Sequence, residues 1–151
     1  MNSAITPESK TNPPPPAARR DALNTPVEPW NGAIDCGLAV SPGNVENQIS
    51  GQLVQTVSRM LKEEVTFNKT NVTSLDWNSY PILRFQECPE VIPIVVQRVN
   101  EKSTGAGEEV MAAAAAAFAN AFFDATGVRL RGYPFSRKRV LAALTSRRAG
   151  I

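Results

Sequence analysis

The amino-acid sequence predicts an α+β fold, with a mixed or antiparallel sheet, two main helices and a proline-rich tail in front. Three observations support this prediction. Short extended-type runs alternate with two long segments of helical periodicity, turn-forming residues separate these segments, and proline is concentrated near the beginning of the chain. An alternation of strands and helices with hairpins between them is typical of α+β proteins.

The first 30 residues form the predicted tail. They contain many of the prolines, including the run Pro13 to Pro16, and few large apolar side chains. Because so little apolar surface cannot offset the entropy lost on ordering, residues 1–30 are predicted to be disordered. Residues 31–151 are predicted to form one domain, since a chain that is 42% hydrophobic and 20% charged can build a packed core.

The first part of the domain is predicted to be a strand, a turn and a helix. Residues 33–40 form the strand, which ends at the turn-forming residues 41–44. Asn44 or Gly43 is predicted to cap the helix that follows. Apolar residues recur at helical spacing on one face of this helix: Val45, Ile49, Leu53, Val57, Met60 and Leu61.

The middle of the domain is predicted to be extended. Residues 64–67 and 71–75 favour a hairpin across the polar residues between them. Residues 80–83 and 91–99 are also predicted to be extended, because prolines in and around them disfavour a helix. Pro93 further indicates an edge position or a bulge.

The last part of the domain is predicted to be mainly helical. A glycine-rich turn leads into a long alanine-rich helix, which Gly127 ends after Thr126. Residues 128–132 are predicted to be a short strand. Ser136 is predicted to cap a final basic helix that runs to about Leu144.

The composition excludes several kinds of site. The chain contains no histidine, the commonest general base and zinc ligand. Cys36 and Cys88 cannot build an iron–sulfur or zinc site alone, and we interpret them as buried or half-buried thiols rather than as a disulfide. The formal net charge of +2 does not favour nucleic acid as a partner. The most apolar run, residues 110–119, is too short to span a bilayer.

The segment Gly105-Ala106-Gly107-Glu108 stands directly before the alanine-rich helix. Glycines allow a sharp turn and a close approach of the backbone to a ligand. A helix N-terminus presents free N–H groups and a positive dipole end, which favour a negative charge, so Glu108 is a candidate proton acceptor. Taken alone, these residues favour a simpler interpretation, in which first-turn acids stabilise an ordinary helix.

The first helix carries amide side chains at Gln48, Gln52 and Gln55, interrupted by Gly51. An amide offers two donors and an acceptor, which suits the edge of a heterocycle such as a pterin, and Gly51 leaves room for a ligand. A polar helix face explains the same spacing more simply.

A basic stretch follows the long helix and contains no acidic residue. It suits phosphates or an acidic partner subunit, but a solvated face and tail is the favoured interpretation. Its members are Arg129, Arg131, Arg137, Lys138, Arg139, Arg147 and Arg148.

Three groups of motifs occur in a fixed order along the chain. They are AIDCGLAVSP at 33–42 with VENQISG at 45–51, DWNSYPILR at 76–84 with PEV at 89–91, and GAGE at 105–108 with ANAFF at 119–123 and ATGVRLR at 125–131. Together they resemble the C-terminal part of the molybdopterin-binding large subunit in molybdenum hydroxylases of the xanthine dehydrogenase/aldehyde oxidase family. The resemblance covers about residues 32–135 and is nearest in kind to the isoquinoline 1-oxidoreductase beta subunit and nicotinate dehydrogenase types.

The resemblance implies an enzyme component that oxidises aldehydes or N-heterocycles. A molybdenum-bound hydroxyl would act as nucleophile, hydride would pass to a molybdenum sulfido ligand, and Glu108 would be the catalytic base. The implied cofactor is molybdopterin, including its cytosine dinucleotide form, and no residue of the chain is expected to ligate the metal. The cofactor-binding residues implied by the resemblance are Gln48, Gly51, Gly105, Ala106 and Gly107.

The resemblance also implies partner polypeptides, because several hundred residues precede this segment in relatives and complete the cofactor site. The expected partners are a complementing large-subunit polypeptide and a small subunit with a 2Fe–2S cluster, and the expected substrate is a small aromatic heterocycle or an aldehyde. The sequence departs from the family at Glu109, where relatives have proline, and at Glu63, where they have glycine. A non-catalytic remnant or interaction module that retains only the fold is the alternative. The lack of a visible secretory signal predicts a cytoplasmic location, with a periplasmic location as the alternative.

Overall fold

The computed structural model describes residues 29–149. The elements in this part of the chain are β1 (Trp30–Asp35), α1 (Pro42–Leu61), a single 3-10 turn (Phe85–Glu87), β2 (Val91–Val96), α2 (Glu109–Thr126) and α3 (Arg137–Ala149). The predicted disordered tail lies outside the described residues except for its last two positions, and Trp30 already belongs to β1. The α+β class is therefore confirmed for the described part of the chain.

The two strands form a parallel sheet. Their register runs from Trp30 opposite Val91 to Asp35 opposite Val96. Parallel neighbours need a crossover connection, and α1 lies within it. The predicted mixed or antiparallel sheet is wrong for these strands. The antiparallel pairing described in residues 29–149 is a single bridge between Phe67 and Val72, at the position of the predicted hairpin.

Several predicted strand boundaries differ from the structure. The chain turns at Gly37, which has a φ of 71°, so β1 ends before the predicted strand of residues 33–40 does. Residues 80–83 and 128–132 form no strand. In each segment a hydroxyl side chain, rather than a neighbouring strand, accepts from a backbone N–H. The Leu83 N–H donates to Ser58 Oγ at 3.0 Å, and the Val128 N–H donates to Thr126 Oγ1 at 3.2 Å.

The helix α1 begins slightly earlier than predicted. Its N-cap is Ser41 rather than Gly43 or Asn44, and Pro42 occupies the first turn. Proline suits that position because its φ is preset for a helix and its missing N–H has no intrahelical partner. The predicted apolar face is confirmed. Four of its members are buried and two are half-buried: Ile49, Leu53, Val57 and Met60, then Val45 and Leu61.

Close packing at Gly32 brings α1 onto the sheet. A Cβ atom at Gly32 would lie 2.7 Å from Ile49 Cγ2 and 2.8 Å from Leu53 Cδ1, so only a hydrogen atom fits between the strand and the helix. The main buried cluster joins the sheet, the loop after β1, α1 and α2. It consists of Ile34, Cys36, Ala39, Ile49, Leu53, Val110 and Ala114.

The end of α2 and the start of α3 agree with their predicted signals. Gly127 ends α2 in the left-handed conformation, with φ of 65°, and its N–H donates to the Phe123 carbonyl at 2.6 Å. Ser136 Oγ accepts from the Arg139 N–H at 3.4 Å at the start of α3, which continues past the predicted end to Ala149. None of the helices described in residues 29–149 is long and apolar enough to cross a membrane.

Candidate functional site

An open cavity of about 340 Å³ lies between the loop after β1, the first turns of α1 and the bend before α2. Gln48 lines it from α1, and Gly105, Ala106 and Gly107 line it from the bend. These four residues were singled out by the sequence for cofactor binding, and the fold brings them to one surface although the helix and the bend are far apart in the chain.

The loop after β1 forms one wall of the cavity. Its conformation depends on Gly37, because the φ of 71° suits glycine and a Cβ atom would overlap the carbonyl oxygen of Lys102. The Thr104 N–H donates to the Cys36 carbonyl at 3.0 Å, and the Arg98 N–H donates to the Gly37 carbonyl at 3.2 Å. The wall is thereby fixed to the segment that leads into the bend.

The bend itself ends at Glu108, which is the N-cap of α2 but makes no side-chain capping hydrogen bond. The Glu108 N–H donates instead to Glu109 Oε2 at 2.9 Å. The Glu108 side chain is exposed, and none of the salt bridges within residues 29–149 involves it. Its carboxylate therefore remains available to a ligand beside the positive end of the α2 dipole.

Two predicted site residues do not line the cavity. Gly51 is exposed on α1, and a Cβ atom there would meet nothing within 4 Å, so packing in the described part of the chain does not require glycine. Glu108 follows the lining residue Gly107 directly but is not itself part of the lining. The carboxylate stands next to the cavity rather than inside it.

Gln52 contacts the bend at the site, whereas the sequence offered it only as one of three amides suited to a pterin edge or to a polar helix face, and the family resemblance gave it no role. It is only 5% exposed. Its Nε2 donates to the Ala106 carbonyl at 3.1 Å, and its Oε1 accepts from the Val110 N–H at 2.9 Å. Its spacing from Ile49 and Leu53 places it on the buried face of α1, so helical periodicity was the signal that separates it from the exposed Gln48 and Gln55.

The departure from the family at Glu63 has a structural role away from the cavity. The Tyr80 hydroxyl donates to Glu63 Oε2 at 2.8 Å. This hydrogen bond raises the pKa of the Tyr80 hydroxyl, with desolvation as a smaller cause. The neighbouring Glu64 pairs with Arg139 at 2.6 Å and ties the end of α1 to α3.

Residues that bind metals in other proteins are not clustered in the described part of the chain. Within residues 29–149, no three His, Cys, Asp or Glu residues are placed to hold a metal ion. Cys36 is buried, Cys88 is half-buried, and both are free thiols, as predicted.

Part of the basic stretch is engaged by the protein itself. The Arg129 guanidinium lies 4.0 Å from the centre of the Phe123 ring and donates to Asn120 Oδ1 at 2.8 Å. Arg139 also donates to the Pro134 carbonyl at 3.0 Å. Arg129 lies after α2 rather than on a helix, whereas the exposed Arg131, Arg137 and Lys138 agree with the favoured interpretation of a solvated face and tail.

Comparison with known proteins gives a consistent family. No family model matches the chain. A nicotinate dehydrogenase subunit of Pseudomonas putida is 46% identical over 110 residues, which are 73% of this chain and 9% of that protein. The beta subunit of isoquinoline 1-oxidoreductase from Brevundimonas diminuta is 29% identical over 68% of this chain and 13% of its own length. A membrane-bound aldehyde dehydrogenase of Gluconacetobacter polyoxogenes, named for pyrroloquinoline quinone, is 32% identical over 74% of this chain and 14% of its length.

Solved structures share the fold. Quinoline 2-oxidoreductase of Pseudomonas putida 86 superposes with a TM-score of 0.69 at 24% identity, over 76% of this chain and 16% of that chain. The Cu,Mo-CO dehydrogenase superposes with a TM-score of 0.68 at 18% identity, over 79% of this chain and 16% of that one. The sequence relatives, together with the shared fold, place the chain in the molybdenum hydroxylases. Within that family it corresponds to a segment of the large subunit, and it spans 9% to 14% of the length of the curated relatives it matches.

Proposed function

We propose that the chain supplies one wall of the cofactor site and the catalytic base of a molybdenum hydroxylase that oxidises N-heterocycles or aldehydes. The observation that carries this proposal is the shared cavity of Gln48 and the 105–107 bend, with Glu108 as the next residue along the chain. The relatives named for nicotinate, isoquinoline and aldehyde support these substrate classes.

The residues around the cavity suit the polar edge of a pterin. The exposed amide of Gln48 offers two donors and one acceptor, and Ser41 and Asn44 add further polar groups to the lining. The bend at Gly105 and Gly107 has no side-chain bulk, so its backbone can approach a flat ligand closely. We propose molybdopterin, or its cytosine dinucleotide form, as the ligand. When bound, this cofactor supplies the two-electron oxidation.

Glu108 would move the proton. Its carboxylate is exposed, makes no capping bond and stands at the positive end of α2. In the proposed reaction a carboxylate oxygen of Glu108 accepts the proton from the attacking hydroxyl group and holds it. The neighbouring Glu109 is occupied by its bond to the Glu108 N–H, so the two carboxylates have different roles.

Large apolar side chains on the surface support a partner polypeptide. One sheet face, with Ile92, Ile94 and Val96 beside Ala33, is exposed. Other exposed apolar side chains lie between α1 and β2: Phe67 at 77%, Leu75 at 80%, Trp77 at 74% and Phe85 at 91%. Extended apolar surface of this kind is typical of protein interfaces. We propose that a complementing large-subunit polypeptide covers it, that a small subunit with a 2Fe–2S cluster completes the enzyme, and that the enzyme is cytoplasmic.

Reconstitution tests the proposal. The chain would be combined with a complementing large-subunit polypeptide and a 2Fe–2S subunit. One sample, the molybdenum arm, would be loaded with molybdenum cofactor, and a second sample, the quinone arm, with pyrroloquinoline quinone. We expect substrate hydroxylation in the molybdenum arm. Substituting Glu108→Gln should lower kcat by about a hundredfold or more, because positioned general bases contribute at least that much. Glu109→Gln serves as the neighbouring control, because it removes a negative charge while its amide oxygen can still accept from the Glu108 N–H.

The outcomes separate the candidate functions. Activity that survives Glu108→Gln would remove the catalytic role of this residue. Activity only in the sample loaded with pyrroloquinoline quinone would show that this quinone, and not molybdopterin, is the cofactor. Binding of the partner without hydroxylation in either arm would favour an interaction module that keeps only the fold.

A further inference from the structure

The side chain of Gln52 connects α1 to both ends of the bend that contains Glu108. The Ala106 carbonyl, which accepts from Gln52, is two residues before Glu108, and the Val110 N–H, which donates to Gln52, is two residues after it. Gln52 is only 5% exposed, and its bond to Val110 is buried whereas its bond to Ala106 is partly buried. One buried contact therefore spans the five residues around the proposed base.

The contact replaces a missing helix cap. The first N–H groups of an α-helix lack intrahelical partners, and a side chain of the N-cap residue commonly accepts from one of them. Glu108 is the N-cap of α2 and provides no such bond. Gln52 accepts from the Val110 N–H instead, so the cap is supplied by another helix and the Glu108 carboxylate is released from that role.

An amide is suited to this position by its chemistry. The Ala106 carbonyl needs a donor and the Val110 N–H needs an acceptor, and a neutral amide offers both from one side chain. A second bond restricts the same bend, because the Glu109 carboxylate accepts from the Glu108 N–H at 2.9 Å. The backbone of Glu108 is thus held on both sides, whereas its side chain is exposed.

We propose that Gln52 is the positioning residue for Glu108, holding the bend so that the carboxylate is presented beside the Gln48 cavity. The role of Glu108 as base rests on the proposed function. The contact of Gln52 with the bend rests on the hydrogen bonds alone, so the two claims can fail separately.

Nuclear magnetic resonance on the full chain tests the contact directly. Replacing Gln52→Met removes donor and acceptor but keeps side-chain length. We expect hydrogen exchange at the Val110 amide to accelerate about tenfold, as for the loss of one buried hydrogen bond, with no such change at Phe118 in the middle of α2. The control is Gln55→Met, an exposed glutamine on the same helix, which should leave Val110 unchanged. Unchanged exchange at Val110 in Gln52→Met would overturn the proposal.

If Gln52→Met unfolds the chain, the isosteric variant Gln52→Glu tests whether the Gln52 amide contacts the bend. In Gln52→Glu, an ionised carboxylate still accepts from Val110 but repels the Ala106 carbonyl, whereas a protonated carboxyl group can donate to it. We expect the carbonyl carbon shift of Ala106 to differ from wild type at neutral pH and to return towards it in acid. A shift equal to wild type throughout the titration would contradict the role of the Gln52 amide as a donor.

Kinetics of the reconstituted enzyme connects the contact to catalysis. We expect Gln52→Glu to lower kcat about tenfold with little change in KM, and this loss to shrink as the pH falls. If the kcat of Gln52→Glu equals that of wild type while Gln52→Met accelerates exchange at Val110, Gln52 is a structural residue and not a positioning residue for Glu108. If Glu108→Gln keeps full activity while Gln52→Met still exposes Val110, the proposed function fails and the contact stands.

Discussion

The side-chain amide of Gln97 makes two hydrogen bonds to the backbone of Ala39. Gln97 Nε2 donates to the Ala39 carbonyl at 3.0 Å, and Gln97 Oε1 accepts from the Ala39 N–H at 2.8 Å. Gln97 directly follows β2 and Ala39 lies in the loop after β1, so this pair extends the contact between the strands beyond their last paired residues. Because Ala39 also lines the cavity, one side chain fixes the position of a cavity wall.

Replacing Gln97→Leu should destabilise the fold. The N–H and carbonyl groups of Ala39, a residue that is 4% exposed, would lose their partners. We expect the free energy of unfolding to fall by about 1–3 kcal/mol, measured by urea denaturation. The matched control is Gln55→Leu, which removes an exposed amide from α1. Equal unfolding midpoints for Gln97→Leu and wild type would show that water satisfies Ala39 equally well.

Alanine substitution at two glycines should have opposite effects. Gly37→Ala places a side chain at φ of 71° and against the Lys102 carbonyl, so we expect a loss of about 2–3 kcal/mol. Gly51→Ala lies in the middle of α1 with open space around it, so we expect a gain of about 0.5–1 kcal/mol. Thermal and chemical unfolding of both variants would check the signs. A stable Gly37→Ala chain would mean that the loop relaxes around the new methyl group.

The exposed sheet face gives a test of partner binding. Ile94 is 45% exposed in the middle of β2 and points away from α1. Substituting Ile94→Glu should leave the thermal stability of the chain nearly unchanged and weaken binding of the complementing polypeptide at least about tenfold, since a buried charge at an interface is costly. Calorimetric titration measures the affinity. Leu141→Glu, on α3, is the control at an exposed apolar residue, and an equal loss there would argue against the sheet face.

Glu63 should control the ionisation of Tyr80. The hydrogen bond from the Tyr80 hydroxyl to Glu63 raises the pKa of that hydroxyl above its ordinary value. In a Tyr133→Phe background, where Tyr80 is the remaining tyrosine, Glu63→Gln should lower the pKa of Tyr80. Ultraviolet titration of the phenolate measures it. Because the pKa of the Tyr80 hydroxyl is higher in the folded than in the unfolded chain, the hydrogen bond stabilises the fold at pH values below the pKa of the unfolded chain. This stabilisation is lost as the pH rises through the pKa of the folded chain.

Glu87 should make the stability sensitive to acid. The Lys62 ammonium, 2.5 Å from Glu87 Oε1, and then the Arg84 N–H hold the pKa of this carboxyl below its ordinary value. Because the pKa of the Glu87 carboxyl is lower in the folded than in the unfolded chain, this ion pair stabilises the fold at pH values above the pKa of the unfolded chain. This stabilisation is lost as the pH falls through the pKa of the folded chain. The melting temperature of Glu87→Gln should therefore lie slightly below wild type at neutral pH and approach it as the pH is lowered into the acid range. A constant difference across that range would exclude this ion pair as the cause.

Local patterns in the sequence determined the helices and some of their ends. The spacing of Ile49, Leu53, Val57 and Met60 predicted the buried face of α1, because a helix repeats its face at a fixed residue interval. Gly127 predicted the end of α2 because few other residues adopt the left-handed conformation there. The motifs around Gln48 and Glu108 also identified the family, since they carry the resemblance in their order and spacing.

Only the tertiary structure decided how distant segments meet. Strand direction depends on which strands pair, and the local hairpin signals gave no information on the pairing of β1 with β2 across α1. Periodicity placed Gln52 nearer the buried face of α1 than Gln48, but it could not assign the partners of either side chain. Their contacts depend on where the bend before α2 packs, which places Gln52 against Ala106 and Val110 and leaves Gln48 open to the cavity. Packing partners far apart in the chain set these positions, whereas periodicity describes one element at a time.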